Sequence, residues 1–227
     1  TAGKLEILGR TISAQQKPEH LKSLRKDVGL VFQFPEYQLF EETIEKDIAF
    51  GPKNFGVEET EASQLVRNIL PVVGLDESYL DRSPFELSGG QKRRVAIAGI
   101  LVLDPKVLVL DEPTAGLDPQ GAKEMMTLFM RLNREQNKTV LLVTHDMEHV
   151  MKYCDHVIVL DHGAVKQTSD VKTFFEHPEW IVNIGINPPS IIRLKMRLKE
   201  AGFDIPDEII DEDGLLKCIK RQVKIHE

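Results

Sequence analysis

The stretch Val107-Leu108-Val109-Leu110-Asp111-Glu112-Pro113 constrains this chain most. A run of β-branched and leucine residues with no polar alternation reads as a strand buried on both faces, as in a parallel sheet. Its end in two adjacent acids places both carboxylates at the strand's C-terminal edge, where open α/β sheets hold their ligands. Similar runs at 28–32, 140–143 and 157–160 alternate with helical patterns over 89–103, 120–136 and Met147–Tyr153. Strand–helix alternation at this spacing predicts an α/β fold with a mainly parallel sheet. A hydrophobic fraction of 41% is enough for a packed core,. The 227 residues amount to roughly 1.5 domains, so one large domain or a domain with an appendage,.

Three segments depart from that plan. Residues 4–8 and 11–13 flank Gly9-Arg10 as a short antiparallel hairpin,. A mostly helical insertion runs from 43 to 86; within it, 58–73 carries Ala62, Leu65, Val66, Ile69 and Leu70 at helical spacing, with Gly74 as the stop,. The tail from Pro188-Pro189 holds an amphipathic basic helix over 191–198, then six carboxylates between Asp204 and Asp213. Lysine and arginine number 29 against 36 aspartate and glutamate, a net charge of −7 that gives no support to a nucleic-acid partner,. No apolar run approaches the ~20 residues that span a bilayer, and the first residues lack a signal peptide's pattern,. Two cysteines, Cys154 and Cys218, make no disulfide framework and read as small packing hydrophobes,.

The acids suggest specific chemistry. The first, Asp111, can hold Mg2+ through water, because magnesium dehydrates reluctantly. The second, Glu112, can orient or deprotonate a water that attacks a γ-phosphate. Taken alone, the pair reads equally as an acidic turn. Ser88-Gly89-Gly90-Gln91 opens a helix: the serine supplies a hydroxyl, the glycines let backbone N–H groups approach an anion, and the helix dipole adds to both,. Such a start in isolation is more often simple capping.

In combination these motifs resemble the nucleotide-binding subunits of ABC (ATP-binding cassette) transporters. Leu87-Ser88-Gly89-Gly90-Gln91 is similar to the family signature, and 107–112 resembles the Walker B strand with its catalytic glutamate. Gly116-Leu117-Asp118-Pro119 is similar to the D-loop, His145 to the switch histidine, and Gln33 to the Q-loop glutamine. The resemblance implies catalytic roles for Glu112, His145 and Gln33, nucleotide contacts from Ser88, Gly89, Gly90, Gln91 and Asp118, and a metal held by Asp111 and Gln33. ATP and Mg2+ are the implied cofactors. Asp118 also reads as the N-cap of the helix beginning near Pro119.

The implied fold is a P-loop NTPase (RecA-like) core over 1–42 and 87–187, with an ABC helical subdomain at 43–86 and a C-terminal, dimerising extension at 188–227. No Gly-x-x-x-x-Gly-Lys-Ser/Thr occurs; the 2–5 stretch (Ala2-Gly3-Lys4-Leu5) lacks the first glycine and the hydroxyl residue. The first strands, the adenine-stacking aromatic and the phosphate loop are therefore expected upstream of Thr1, and these residues alone are expected to lack appreciable ATPase activity. The run 34–52 and the tail resemble the ATPases of energy-coupling factor (ECF) importers of vitamins or metal ions. That likeness implies a second ATPase subunit, with a heterodimer favoured over a homodimer. It also implies a transmembrane coupling protein, an indirect substrate-binding membrane subunit, no nucleic acid, and a peripheral place on the cytoplasmic face of the cell membrane. A silent signature donor and a non-transport ABC ATPase are the alternatives. Lys92-Arg93-Arg94 reads as a solvated face; Trp180, Phe174 and Phe175 read as packing.

Overall fold

The computed structural model describes residues 3–14 and 21–223; Ala2 of the 2–5 stretch lies outside them. The chain divides into two compact units, Thr1–Val143 and Thr144–Glu227.

In the first unit, β1 (Lys4–Ile7) and β2 (Arg10–Ser13) form the expected antiparallel hairpin, with Ile7 opposite Arg10. The turn is Leu8-Gly9 rather than Gly9-Arg10. Both turn residues take positive φ (50° and 72°), the geometry that matches strand twist in two-residue hairpins,. Helix α1 (Leu21–Asp27) leads into β3 (Val28–Val31). The helical insertion contains α2 (Ile44–Asn54), whose N-terminus is capped by Thr43, and α3 (Glu59–Ile69). The expected single helix to Val73 instead stops before Pro71, which has no N–H to donate and starts a short 3-10 turn that closes on Gly74 at φ 74°,. Ile48, Ala62, Val66 and Leu70 fill the lobe's core at 0% exposure.

Helix α4 (Gly89–Leu101), strand β4 (Val107–Asp111), helix α5 (Pro119–Gln136) and strand β5 (Thr139–Val143) complete the unit. The strands form a parallel sheet in the order β3-β4-β5, with Val31 opposite Leu110 and Asp111 opposite Val143. Central β4 is buried as its composition predicts, Leu108 and Leu110 completely. The flanking strands are not buried on both faces: Leu30, Leu141 and Val143 are 40%, 48% and 54% exposed. These three share one pleat face, since Leu30 and Leu141 both stand opposite Val109,. The other face is packed by α4. A Cβ on Gly29 would lie 2.7 Å from Ile100 Cγ2 and 3.1 Å from both Leu108 and Pro105.

The second unit comprises α6 (Met147–Tyr153), β6 (His156–Asp161), β7 (Ala164–Asp170), α7 (Val171–Glu176), α8 (Pro178–Asn183), α9 (Ser190–Glu200) and α10 (Glu212–Val223). Here the sequence expectation is corrected: 157–160 is not a parallel strand but half of an antiparallel β6/β7 hairpin, turned at His162-Gly163 with φ 49° and 76°. Only one face of that ribbon is covered, so Ile158 and Leu160 are exposed while Val159 is buried. The core is Met147, Val150, Val159, Phe174, Phe175, Ile181 and Ile192, with Trp180 and Cys154 against it, so the aromatics pack as expected. Burial and neighbouring Asp155 push the Cys154 thiol up. The basic helix α9 buries Ile192 and also Lys195, whose ammonium donates to the Asp207 carbonyl at 2.5 Å. The acidic run proves to be a helix start: Asp211 accepts from the Gly214 N–H, and Glu212 and Asp213 complement the dipole of α10,.

Gly29→Ala is expected to destabilise the protein by about 1–3 kcal/mol through overpacking between β3 and α4. Urea unfolding with an unchanged m-value would show it.

Candidate functional site

Three predicted residues converge at the C-terminal edge of the parallel sheet. Gln33 follows Val31 by two residues, as Glu112 follows Leu110, and those strand residues are paired in register. Asp111 closes the β4 ladder opposite Val143, and the Glu112 N–H extends it by donating to the Val143 carbonyl at 2.9 Å. The two acids then diverge. Glu112 turns into the left-handed region at φ 45°, where its carbonyl accepts from the Ala115 N–H at 3.0 Å. A non-glycine residue held there costs roughly 1–3 kcal/mol, and such strain persists only where neighbouring contacts over-determine it. Phe34, next to Gln33, is held the same way at φ 57°.

His145 stands two residues beyond Val143, exposed, in the second unit. Its neighbour Asp146 caps α6 by accepting from the Glu148 N–H at 2.9 Å. Asp118 is the cap of α5, accepting from the Gly121 N–H at 2.7 Å ahead of Pro119.

Ser88 caps α4 within a capping box. Its hydroxyl accepts from the Gln91 N–H at 3.4 Å, and the Gln91 side-chain oxygen accepts from the Ser88 N–H at 3.1 Å,. Gln91 also donates to the Tyr79 hydroxyl at 3.0 Å. Gly89 and Gly90 are exposed, neither has positive φ, and a Cβ on either would meet nothing within 4 Å. Neither backbone conformation nor packing within this chain therefore calls for glycine at these positions.

The solvated reading of Lys92-Arg93-Arg94 is overturned at two of its three positions. Arg93 is 2% exposed. Its guanidinium grips Glu36 through two bonds, Nε to Oε2 at 3.0 Å and Nη2 to Oε1 at 2.9 Å. Nη1 donates to the Ala115 carbonyl at 2.8 Å and the Pro113 carbonyl at 3.4 Å. The Phe34 ring centroid lies 5.7 Å from the guanidinium carbon. Phe34 also passes over Gly116, where a Cβ would sit 3.2 Å from its ring edge, and Gly116 has φ 75°. Arg94 donates to the Val73 carbonyl and pairs with Glu124. A sequence signal existed: Arg93, Ile97 and Leu101 lie four residues apart, on one buried stripe of α4,.

Among the described residues no three His, Cys, Asp or Glu side chains cluster as a metal cage. Asp111 and the Gln33 amide offer hard oxygen donors at an open edge. That set suits Mg2+, which binds through one or two carboxylates, waters and substrate phosphates.

Residues 1–115 match the family model described as ABC transporter. The "Energy-coupling factor transporter ATP-binding protein EcfA2" of Enterococcus faecalis is 51% identical over 99% of this chain and 78% of its own length. The chain belongs to the ABC transporter ATP-binding family. Its members are ATPases coupled to transport, built on the α/β cassette seen here. The EcfA2 of Geobacillus kaustophilus is 49% identical over the whole chain and 80% of its own length. Among solved structures, cbiO1 of Clostridium perfringens, described as part of the ABC transporter complex cbiONQ, superimposes with a TM-score of 0.65. It is 40% identical and covers 82% of this chain, which in turn covers 76% of it. The ABC cassette MJ0796, solved as a dimer bound to ADP and Pi, gives a TM-score of 0.64 at 29% identity. That match covers 75% of this chain and 74% of the cassette. No described helix of this ABC subunit is long and apolar enough to cross a membrane.

Asp118→Ala is expected to destabilise the chain by about 1 kcal/mol, whereas Asp118→Asn stays within a few tenths, because asparagine caps as well as aspartate. Chemical denaturation of the two variants separates the cap from any role in nucleotide turnover.

Proposed function

We propose that this chain is the ATP-hydrolysing subunit of an ECF-type importer, working as one of two ATPases beneath a transmembrane coupling protein. The observation that carries the hydrolytic reading is the placement of Gln33, Asp111 and Glu112 at one sheet edge. The similarity to EcfA2 proteins over nearly the full chain supports the ECF assignment. A vitamin or a metal ion would be the cargo, selected by a separate membrane subunit.

In this reading Glu112 accepts a proton from the attacking water as its oxygen bonds to the γ-phosphorus and the bridging P–O bond to ADP breaks. The Gln33 amide orients that water, and the His145 side chain donates to a γ-phosphate oxygen. Asp111, with Gln33, would hold Mg2+, which neutralises charge on the β- and γ-phosphates when bound.

Gly89 and Gly90, unneeded by their own fold, suit close backbone approach to a phosphate presented by a second ATPase subunit. Ser88 and Gln91 flank that approach, and Asp118 faces the same partner. The dimeric state of the MJ0796 cassette supports such pairing. Closure on two nucleotides and reopening after hydrolysis would then drive the membrane helices through the segment after Gln33, with the 43–86 lobe as the moving part and the 188–227 extension holding the ATPases together. The subunit would lie peripherally on the cytoplasmic face.

The test is ATP turnover by the full-length chain co-expressed with its partner ATPase and membrane subunits. Glu112→Gln should lower turnover by about 10²- to 10⁴-fold while nucleotide binding persists. Wild-type turnover in that variant rejects Glu112 as the base. Purification without any multi-helix membrane protein rejects the importer assignment.

A further inference from the structure

Arg93 contacts two loops that the proposed chemistry depends on. One follows Glu112: Pro113 and Ala115, whose carbonyls take the Nη1 hydrogens, lie one and three residues past the acid. The other follows Gln33: Glu36, which takes the two remaining bonds, lies three residues past the amide, and Phe34 stacks beside the guanidinium. The side chains of Arg93 and Glu36 are 3% and 15% exposed, so water competes little for either.

We propose that Arg93 is a positioning residue for hydrolysis, fixing the Glu112 loop and the Gln33 loop in one geometry from the first buried turn of the signature helix. The inference rests on the hydrolytic reading given above. Glu112 and Phe34 both hold left-handed backbone conformations that non-glycine residues leave when free to do so,. Without Arg93 each loop has one constraint fewer against relaxing to a lower-energy conformation, in which the carboxylate and the amide would lose the common geometry that the proposed hydrolysis needs. Lysine cannot replace the guanidinium. A single ammonium lacks the planar fork that meets two carboxylate oxygens and two carbonyls together.

A second buried cation gives the control. Lys138 is 8% exposed and bonds Asp104 at 2.5 Å and the Pro105 carbonyl at 2.8 Å, joining the turns that lead into β4 and β5. It does for the N-terminal edge of the sheet what Arg93 does at the C-terminal edge, but the proposed chemistry lies only at the latter. A role confined to stability would treat the two alike.

The experiment compares Arg93→Lys, Glu36→Gln and Lys138→Met in the full-length chain within its assembled complex. Three quantities are read: kcat and KM for ATP, thermal stability, and hydrogen exchange of the Ala115 and Leu117 amides. Arg93→Lys should lower kcat by about 10- to 100-fold, as a displacement of about 1 Å does, with KM changed less than threefold. Exchange at both amides should speed up. Glu36→Gln should shift the same quantities in the same direction by less, and Lys138→Met should lower only the melting temperature. Should Arg93→Lys fail to fold, the nearly isosteric Glu36→Gln decides alone. Wild-type kcat in a folded Glu36→Gln and a folded Arg93→Lys, or an equal loss in Lys138→Met, overturns the proposal. So does unchanged exchange at both amides. Turnover insensitive to Glu112→Gln instead removes the hydrolytic reading, and the exchange data then report separately whether Arg93 orders the loops.

Discussion

An arginine only 2% exposed has almost no water to donate to, so its N–H groups need acceptors from the protein itself,. Arg93 finds them in a carboxylate 57 residues earlier and in carbonyls 20 and 22 residues later. The segments it joins have little regular hydrogen bonding of their own: a 3-10 turn after Gln33 and a tight turn after Glu112. Their placement is thus set from α4, whose first turn is also the candidate signature. Removing one partner from such a pair leaves a buried charge uncompensated, so the placement of both loops depends on each member of it.

Arg93 is one instance of a wider habit. Lys138 reaches the Pro105 carbonyl and Lys195 the Asp207 carbonyl, each from a buried position into a turn. Turn carbonyls have no ladder partner, and a long cationic side chain with an apolar stem can cross packed hydrophobic surface to reach them. The Lys195 ammonium is held below its usual range by burial first and by neighbouring Lys199 second, opposed by nearby carboxylates including Asp207. The molecule uses cations to staple its irregular segments rather than its strands and helices, which satisfy themselves.

What was legible in the sequence is what is local. The β4 run, the helix start at Ser88, the Asp118 cap and the 4–13 hairpin each depend on residues within a few positions of one another. They read nearly correctly, with boundaries shifting where Pro71 or a pair of positive-φ residues overrode periodicity. The misses are of two kinds, a non-local contact and an overlooked turn. Lys92-Arg93-Arg94 has the composition of a solvated face, and only folding brings Glu36 to it. The 157–160 run looks like β4 in isolation, but its partner β7 is polar and alternating, and the deciding signal was the His162-Gly163 turn rather than the strand.

Gly89 and Gly90 carry a different kind of message. Alanine would fit at either position, and within a helix it would gain up to about 1 kcal/mol over glycine,. A screen that scored variants of this chain by folding alone would therefore accept, even favour, the loss of both. In the proposed pairing of two ATPases the requirement for glycine here would belong to the surface of the partner subunit, and an optimiser given only the isolated subunit would erase it without any penalty it could register.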